Sequence, residues 1–306
     1  MFVGHISIDE VENVNGTRIQ PGGAALYAAM AARTLSKTVT LISATGKDNK
    51  FLNVVNLFPY KDVKIYDAPS TKFHIKYDSR WEANYLKADH GAGSRINSRR
   101  ISEKWLRHKS IFHISPMQPS KVAKILDKIK KRSPESKVSI NTWIDYIREG
   151  RKNRRILKEI ALKADFFIVN DTEAKELAQT KSLSSAVRLL KARRLIVTLG
   201  SLGAIISGED VGLQNIPALN LAPDKVVDTT GAGDVWCGAF LATYNLTEDF
   251  VKSVSAASTI SRIKCSDWGF QSLINLRFKE PNDVIEFVMG LKDGGIQKRI
   301  FDYVKE

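Results

Sequence analysis

Val226-Val227-Asp228-Thr229-Thr230-Gly231-Ala232-Gly233-Asp234-Val235-Trp236-Cys237-Gly238-Ala239-Phe240 is the stretch around which the rest of the chain is organised. Two β-branched residues lead into a turn of small residues, and an apolar run continues to Tyr244. That run contains good helix formers and predicts a buried helix. Gly231-Ala232-Gly233 carries almost no side-chain bulk, so its backbone can turn tightly and bring N–H groups close to a ligand. The turn then sits at a helix N-terminus, where unpaired N–H groups and the positive end of the helix dipole favour an anion. Asp234 has two readings there. It is a first-turn acid that stabilises the helix, or it is a base beside an anion hole, taking a proton while bare amides stabilise developing charge.

The composition narrows the class. A chain of 306 residues holds one large α/β domain or two small ones. Its 43% apolar and 26% charged content is ordinary for a globular protein. The net charge of +14 raises the question of nucleic acid. The basic residues, however, interleave with apolar ones at helical spacing, as in Lys121 to Lys131 and Arg148 to Lys158, and no RNA-binding motif is present. A solvated basic surface is the reading, with no nucleic-acid partner. Cys237 and Cys265 sit in apolar surroundings and read as reduced thiols. No run approaches about 18 apolar residues, so no membrane partner is expected and a cytoplasmic location follows.

In chain order, Met1 to Ile8 reads as a buried first strand with Asp9 at its C-terminal end. Open α/β sheets bind ligands beyond that end, so Asp9 is a candidate to hold a hydroxylated substrate. A turn Asp is the alternative. Asn15-Gly16 signals a two-residue hairpin. Gly22-Gly23 opens an alanine-rich helix, either to let amides approach a ligand or simply as a tight turn. Thr38 to Ala44 predicts a second strand, and Asp48 a capped helix to Leu57. Thr71 to Tyr77 alternates like a half-buried strand, with Trp81 to Leu86 pairing back. Lys72, His74, Lys76 and Arg80 form a solvated outer face or a basic face suited to a phosphorylated substrate. Ser110 to Ser115, Val138 to Ile140, Phe166 to Val169 and Leu195 to Leu199 read as further strands, and Pro119 to Ile129 as an amphipathic helix. Asn170 and Glu173 offer oxygen ligands of the kind Mg²⁺ prefers, or a helix capping box. Thr198-Leu199-Gly200-Ser201-Leu202-Gly203 can lay its backbone along phosphates, or close a hairpin with Ala204 to Ile206 as return strand. Phe250 to Ile263 and Pro281 to Leu291 read as helices, and the tail after Gly294-Gly295 to Glu306 as a charged surface helix. Alternating strands and helices predict a mostly parallel sheet covered by helices.

Asp228-Thr229-Thr230-Gly231-Ala232-Gly233-Asp234 with its small apolar helix resembles the C-terminal signature of the ribokinase-like (PfkB) carbohydrate kinase family. Gly22-Gly23, Asn170 with Glu173, and Thr198 to Gly203 resemble that family's Gly-Gly, N-x-x-E and T-x-G-x-x-G motifs, in the family's order. The resemblance implies a three-layer α/β/α sandwich, one catalytic domain over 1–306, with a discontinuous β lid from about 10–20 and 70–90. It implies transfer of the γ-phosphate of ATP to a hydroxyl of a small sugar or polyol, of the ribose, fructose, 2-keto-3-deoxygluconate or inositol class. A nucleoside kinase and a phosphosugar kinase are alternatives on the same scaffold. In this light Asp234 is the base, and the amides of Gly231, Ala232 and Gly233 hold the phosphate charge. Thr198, Gly200, Gly203, Asn170 and Asp228 contact the nucleotide, and Glu173 organises Mg²⁺, largely through water. Asp9, Gly22 and Gly23 orient the acceptor. Ser261, Cys265 and Gly269 are candidates for the adenine end, and Tyr27, Phe73 or Trp143 would stack a nucleoside base. Asn141 departs from the Asp that many members carry, which weakens a charged contact there. Pairing of lid sheets between subunits is frequent in the family and leaves a homodimer open. A catalytically silent RNA or partner binder is the reading from another class, and the intact Asp234 argues against it.

Overall fold

The computed structural model describes residues 1–218, 226–278, 283, 284 and 286. The chain divides by packing into two compact units, Met1–Gly4 with Ile96–Pro217, and His5–Arg95 with Ala218–Glu306.

In the first unit, strands Phe2–Val3, Ile111–Ile114, Lys137–Asn141, Phe166–Asn170 and Arg194–Thr198 pair side by side, all parallel. Gly203–Gly208 and Gly212–Pro217 then continue the sheet antiparallel. Phe166, Phe167, Ile168 and Val169 are buried in succession, as a strand covered on both faces requires. Helix Pro119–Arg132 starts with proline at its first turn and buries Val122, Ile125, Leu126 and Ile129, the i, i+3, i+4, i+7 stripe of an amphipathic helix. Helix Arg151–Lys163 buries Leu157, Ile160 and Ala161 in the same way. The basic residues of both helices therefore lie mainly away from the buried stripe. Asn170 and Thr198 stand opposite each other in register, so the two motifs of this unit leave adjacent strands at one level.

In the second unit, a four-stranded sheet has the order Gly16–Gly22, Ser7–Asn13, Thr71–Tyr77, Ala83–Asp89. The outer pairs are antiparallel and the middle pair parallel. This corrects the reading of the N-terminus. The first strand stops at Val3, the chain breaks at Gly4 with φ 154°, and Asp9 lies inside a separate lid strand rather than at the end of a central one. The hairpin turn is also one residue earlier than expected. Asn13 pairs with Gly16, Val14-Asn15 make the turn, and Asn13 Oδ1 accepts the Asn15 N–H at 2.8 Å.

Alternation along Thr71–Tyr77 is clear. Ile75 and Tyr77 join Val11 in a small core, with Phe73, Trp81 and Trp268 against it. On the other side Lys72 pairs with Asp48 at 2.9 Å, and His74 and Lys76 with Glu12 at 2.6 and 3.3 Å. Arg80 meets Asp78 at 3.5 Å. The basic face is an outer face on which these residues pair with acids. The helix expected from Asp48 reduces to a 3-10 turn, Leu52–Leu57, because Asp48 turns to the Ser70 N–H and hydroxyl at 2.8 and 2.6 Å. Strand Tyr60–Tyr66, parallel to Thr40–Gly46, had no expected counterpart. Its alternation of charged and apolar residues is mostly exposed, which makes its pattern weak.

Helices Ala24–Arg33, Ala232–Thr247 and Phe250–Cys265 belong to the same unit. Their small residues serve close approach, since a Cβ on Gly238 would overlap the backbone of Ala28. Among the described residues no helix is long and apolar enough to cross a membrane. The closing helix expected at Pro281 to Leu291 and the tail beyond it fall mostly outside the described residues.

Candidate active site

Gly231 is the N-cap of helix Ala232–Thr247, with left-handed φ 71° and ψ 9°. Two observations fix glycine there: the backbone conformation, and a Tyr27 ring that any Cβ would overlap. The turn before it is closed by Asp228 Oδ1, which accepts the Thr230 N–H at 2.8 Å. The Ala232 N–H donates to Thr229 O at 3.0 Å, and the Val235 N–H to Gly231 O at 2.9 Å. The amide of Ala232 is thus engaged by the turn. Gly231 and Gly233 remain, and neither N–H has an intramolecular acceptor among the described residues. A Cβ added at Gly233 would meet nothing within 4 Å, so the helix is open on that side. Asp234 follows in the first helical turn, half-buried.

Asp9 lies close enough to Asp234 and Asp228 for their charges to act on it. Burial pushes its carboxyl up to about 7, against a hydrogen bond from Ser7, with Asp228 and Asp234 adding to the rise. Ser7 Oγ donates to Asp9 Oδ1 at 2.6 Å. The Gly23 N–H also donates to this carboxylate. A Cβ on Gly22 would overlap the Asp9 carboxylate, and one on Gly23, at φ 101°, would overlap His5 O. The Gly-Gly turn and Asp9 are therefore one construction, with Asp234 near enough for its charge to act on Asp9.

Asp228 is held by partners from several parts of the chain. It is fully buried, and its Oδ2 accepts from Gln20 Nε2 at 3.0 Å and the Gly269 N–H at 2.9 Å. Lys264 Nζ lies 3.3 Å from the same oxygen and donates to Asp228 O at 2.7 Å. Burial alone would raise this carboxyl, but Lys264, Gln20 and Thr230 together hold it below the ordinary carboxylate range. The Asp228 carboxylate thus braces the turn through Gln20, Thr230, Lys264 and Gly269. Ser261, Cys265 and Gly269 are part of the same bracing. Ser261 Oγ donates to Ala232 O at 2.9 Å, and Cys265 O accepts the Val227 N–H at 2.8 Å.

The first unit holds the other motifs. Asn170 caps helix Asp171–Ala178 in a full capping box: its Oδ1 accepts the Glu173 N–H at 2.8 Å, and Glu173 Oε2 accepts the Asn170 N–H at 2.9 Å. Thr198, opposite Asn170, ends its strand; Gly200 at φ 59° and Gly203 at φ 107° shape the loop that follows. The Leu199 N–H donates to Gly203 O at 2.8 Å, so the loop does close a hairpin. Of the aromatic candidates, Tyr27 is wholly buried, edge-on to Phe270. Phe73 stands opposite Asp9 in the lid register, half-buried, with Tyr85 and His90 at 6.0 Å. Trp143 belongs to the first unit, against Tyr146 at 5.4 Å.

Gln20 and Lys264 were not anticipated. Gln20 closes an otherwise weakly alternating strand, and Lys264 looks like one more basic residue of a helix. Only its i+3 spacing from Ser261 on an alanine-rich helix hints at an inward side chain.

The architecture, a mostly parallel sheet with helices and a small lid sheet, is that of the ribokinase fold. The structure resembles Burkholderia thailandensis nucleoside kinase in complex with inosine, with TM-score 0.74 and 20% identity over 94% of this chain and 97% of the other. It also resembles adenosine kinase from Sinorhizobium meliloti, with TM-score 0.77 and 14% identity over 89% and 96%. In sequence, a cytidine kinase of Thermococcus kodakarensis is 27% identical over 280 residues, covering 89% of this chain and 98% of the relative. The pfkB family carbohydrate kinase model matches residues 2–275, and the chain belongs to that family. It is a kinase acting on a sugar or nucleoside.

Proposed function

We propose that the protein transfers the γ-phosphate of ATP to a hydroxyl of a ribose-bearing acceptor, a nucleoside in the first instance. The observation that carries this is a buried Asp9 packed on the Gly22-Gly23 turn, within reach of the charge of Asp234 at an open helix N-terminus. An ionised Asp9 carboxylate accepts two acceptor hydroxyls. Asp234 takes the proton of the hydroxyl that attacks, and the free amides of Gly231 and Gly233 stabilise the charge on the transferred phosphoryl group. Positioning and electrostatics carry most of the acceleration in this chemistry.

In this reading Thr198, Gly200 and Gly203 receive the nucleotide, Gly200 and Gly203 through backbone that left-handed glycines make available. The donor set at Asn170 and Glu173 is all oxygen and fits Mg²⁺, which keeps most of its waters and binds phosphate oxygens. The capping box engages one oxygen of the Glu173 carboxylate. When bound, Mg²⁺ supplies charge neutralisation on the phosphates.

Phe73 favours a nucleoside over a free sugar. It shares the inner lid face with Asp9 and gives a flat apolar surface beside the hydroxyl-binding carboxylate. The cytidine kinase relative points the same way. A free pentose is the second reading, favoured by a ribokinase of Lactococcus lactis that is 26% identical over 289 residues. An ADP-release assay over nucleosides, ribose, hexoses and polyols separates them. Turnover highest on a nucleoside supports the first; turnover on ribose with none on nucleosides overturns it.

A further inference from the structure

One buried charge takes no part in the chemistry above. Lys264 is fully buried, on helix Phe250–Cys265, in the unit that holds Asp234. Its Nζ donates to the backbone carbonyl of Asp228 at 2.7 Å, lies 3.3 Å from Asp228 Oδ2, and sits 5.6 Å from the centre of the Tyr27 ring. Tyr27 in turn lies where a Cβ of Gly231 would be. Ser261, Lys264 and Cys265 occupy positions i, i+3 and i+4, one face of the helix. That face grips the catalytic turn at three points: Ser261 at Ala232 O, Lys264 at Asp228, and Cys265 O at the N–H groups of Val227 and Asp228 at 2.8 and 3.3 Å. Of the three, only the Lys264 contact carries charge. Burying an ammonium is costly unless it is paired and hydrogen-bonded, and an apolar side chain would fill the same space without that cost.

We infer that Lys264 is a positioning residue for phosphoryl transfer: its ammonium is the internal cation that pins the Asp228 carbonyl and carboxylate and so sets the direction in which the Gly231 and Gly233 amides and Asp234 point. The inference rests on the kinase reading. Its structural part, however, can be measured without turnover.

The test uses the full-length protein and the variants Lys264→Ala, Lys264→Met and the double change Lys264→Met with Asp228→Asn. The double change removes both charges, so it folds without an unpaired buried ion. Two readouts are taken: kcat with the acceptor and ATP KM values, and hydrogen exchange of the peptide covering 227–236. The expected result is a hundredfold or greater fall in kcat for Lys264→Met and the double variant, with KM values changed less than threefold. Amide exchange in the turn should be at least tenfold faster, while exchange in strand Phe166–Asn170 stays unchanged. Methylammonium or ethylammonium, which can enter the space left by Lys264→Ala and donate N–H bonds, should recover tenfold or more of kcat and slow the exchange; tetramethylammonium, which has no N–H, should do neither. A double variant with wild-type kcat and exchange overturns the inference, as does equal rescue by tetramethylammonium. If no variant, including the wild type, shows kinase activity while the exchange and its ethylammonium reversal behave as stated, the kinase reading fails and the pinning role of Lys264 stands.

Discussion

Gly233→Ala separates stability from catalysis at the helix N-terminus. The new methyl meets nothing within 4 Å, and Gly233 has no left-handed φ, so the folded chain accommodates it. Alanine in a helix is favoured over glycine by up to about 1 kcal/mol, so the variant should be as stable as the parent or more so. If a phosphoryl oxygen closes on this amide, the same methyl lies at the edge of that approach. A crowding cost of about 1–3 kcal/mol corresponds to roughly a 5- to 150-fold loss of kcat/KM. Gly231→Ala is the contrast. Its φ of 71° costs a side chain about 1–2 kcal/mol, and overlap with Tyr27 adds about 1–3 kcal/mol. That variant should lose stability and activity together. The assays are urea unfolding and coupled ADP release on each variant. A Gly233→Ala protein of unchanged or raised stability and wild-type kcat/KM would refute the anion hole at this amide. A strongly destabilised one would refute the geometry of the turn.

Other predictions concern Asp9, Phe73 and the basic outer face. The Asp9 carboxyl is raised from 3.8 to about 7, so the native state holds its proton more tightly than the unfolded chain. The resulting stabilisation is fully present below pH 3.8 and is lost as pH rises through about 7, a slope that Asp9→Asn should remove from the stability–pH curve. Because the charged form receives hydroxyls, acceptor affinity should fall as pH drops below about 7, measured as KM or by calorimetry. Phe73→Leu keeps the lid core apolar while removing the ring, and should raise a nucleoside KM about tenfold while leaving that of ribose nearly unchanged. Lys72→Ala and Lys76→Ala, exposed on the outer face, should alter acceptor KM by less than twofold; a large effect would favour the phosphorylated-acceptor reading.

Much of this was legible in the sequence because it lies in spacing. The parallel strands of the first unit are continuous apolar runs, the amphipathic helices carry their stripe, and the lid strand Thr71–Tyr77 alternates without a break in pattern. The glycine motifs could be placed because glycine alone tolerates what Gly22, Gly23 and Gly231 do. The misreadings share a cause, which is that a contact far along the chain decided a local choice. Asp48 caps no helix because Ser70 claims it. The first strand ends early because Gly4 lets the chain leave for the lid. The partners of Asp228, namely Gln20, Lys264 and Gly269, are likewise distant in sequence. Local pattern carries no sign of such partners.

Asp234→Asn tests the central claim most directly. The change is nearly isosteric, at a half-buried first-turn position, so the unfolding midpoint and the binding of acceptor and ATP should stay close to those of the parent. Loss of a general base predicts a fall in kcat of roughly 10²–10⁴-fold. Near-normal turnover in a folded Asp234→Asn protein would contradict the account.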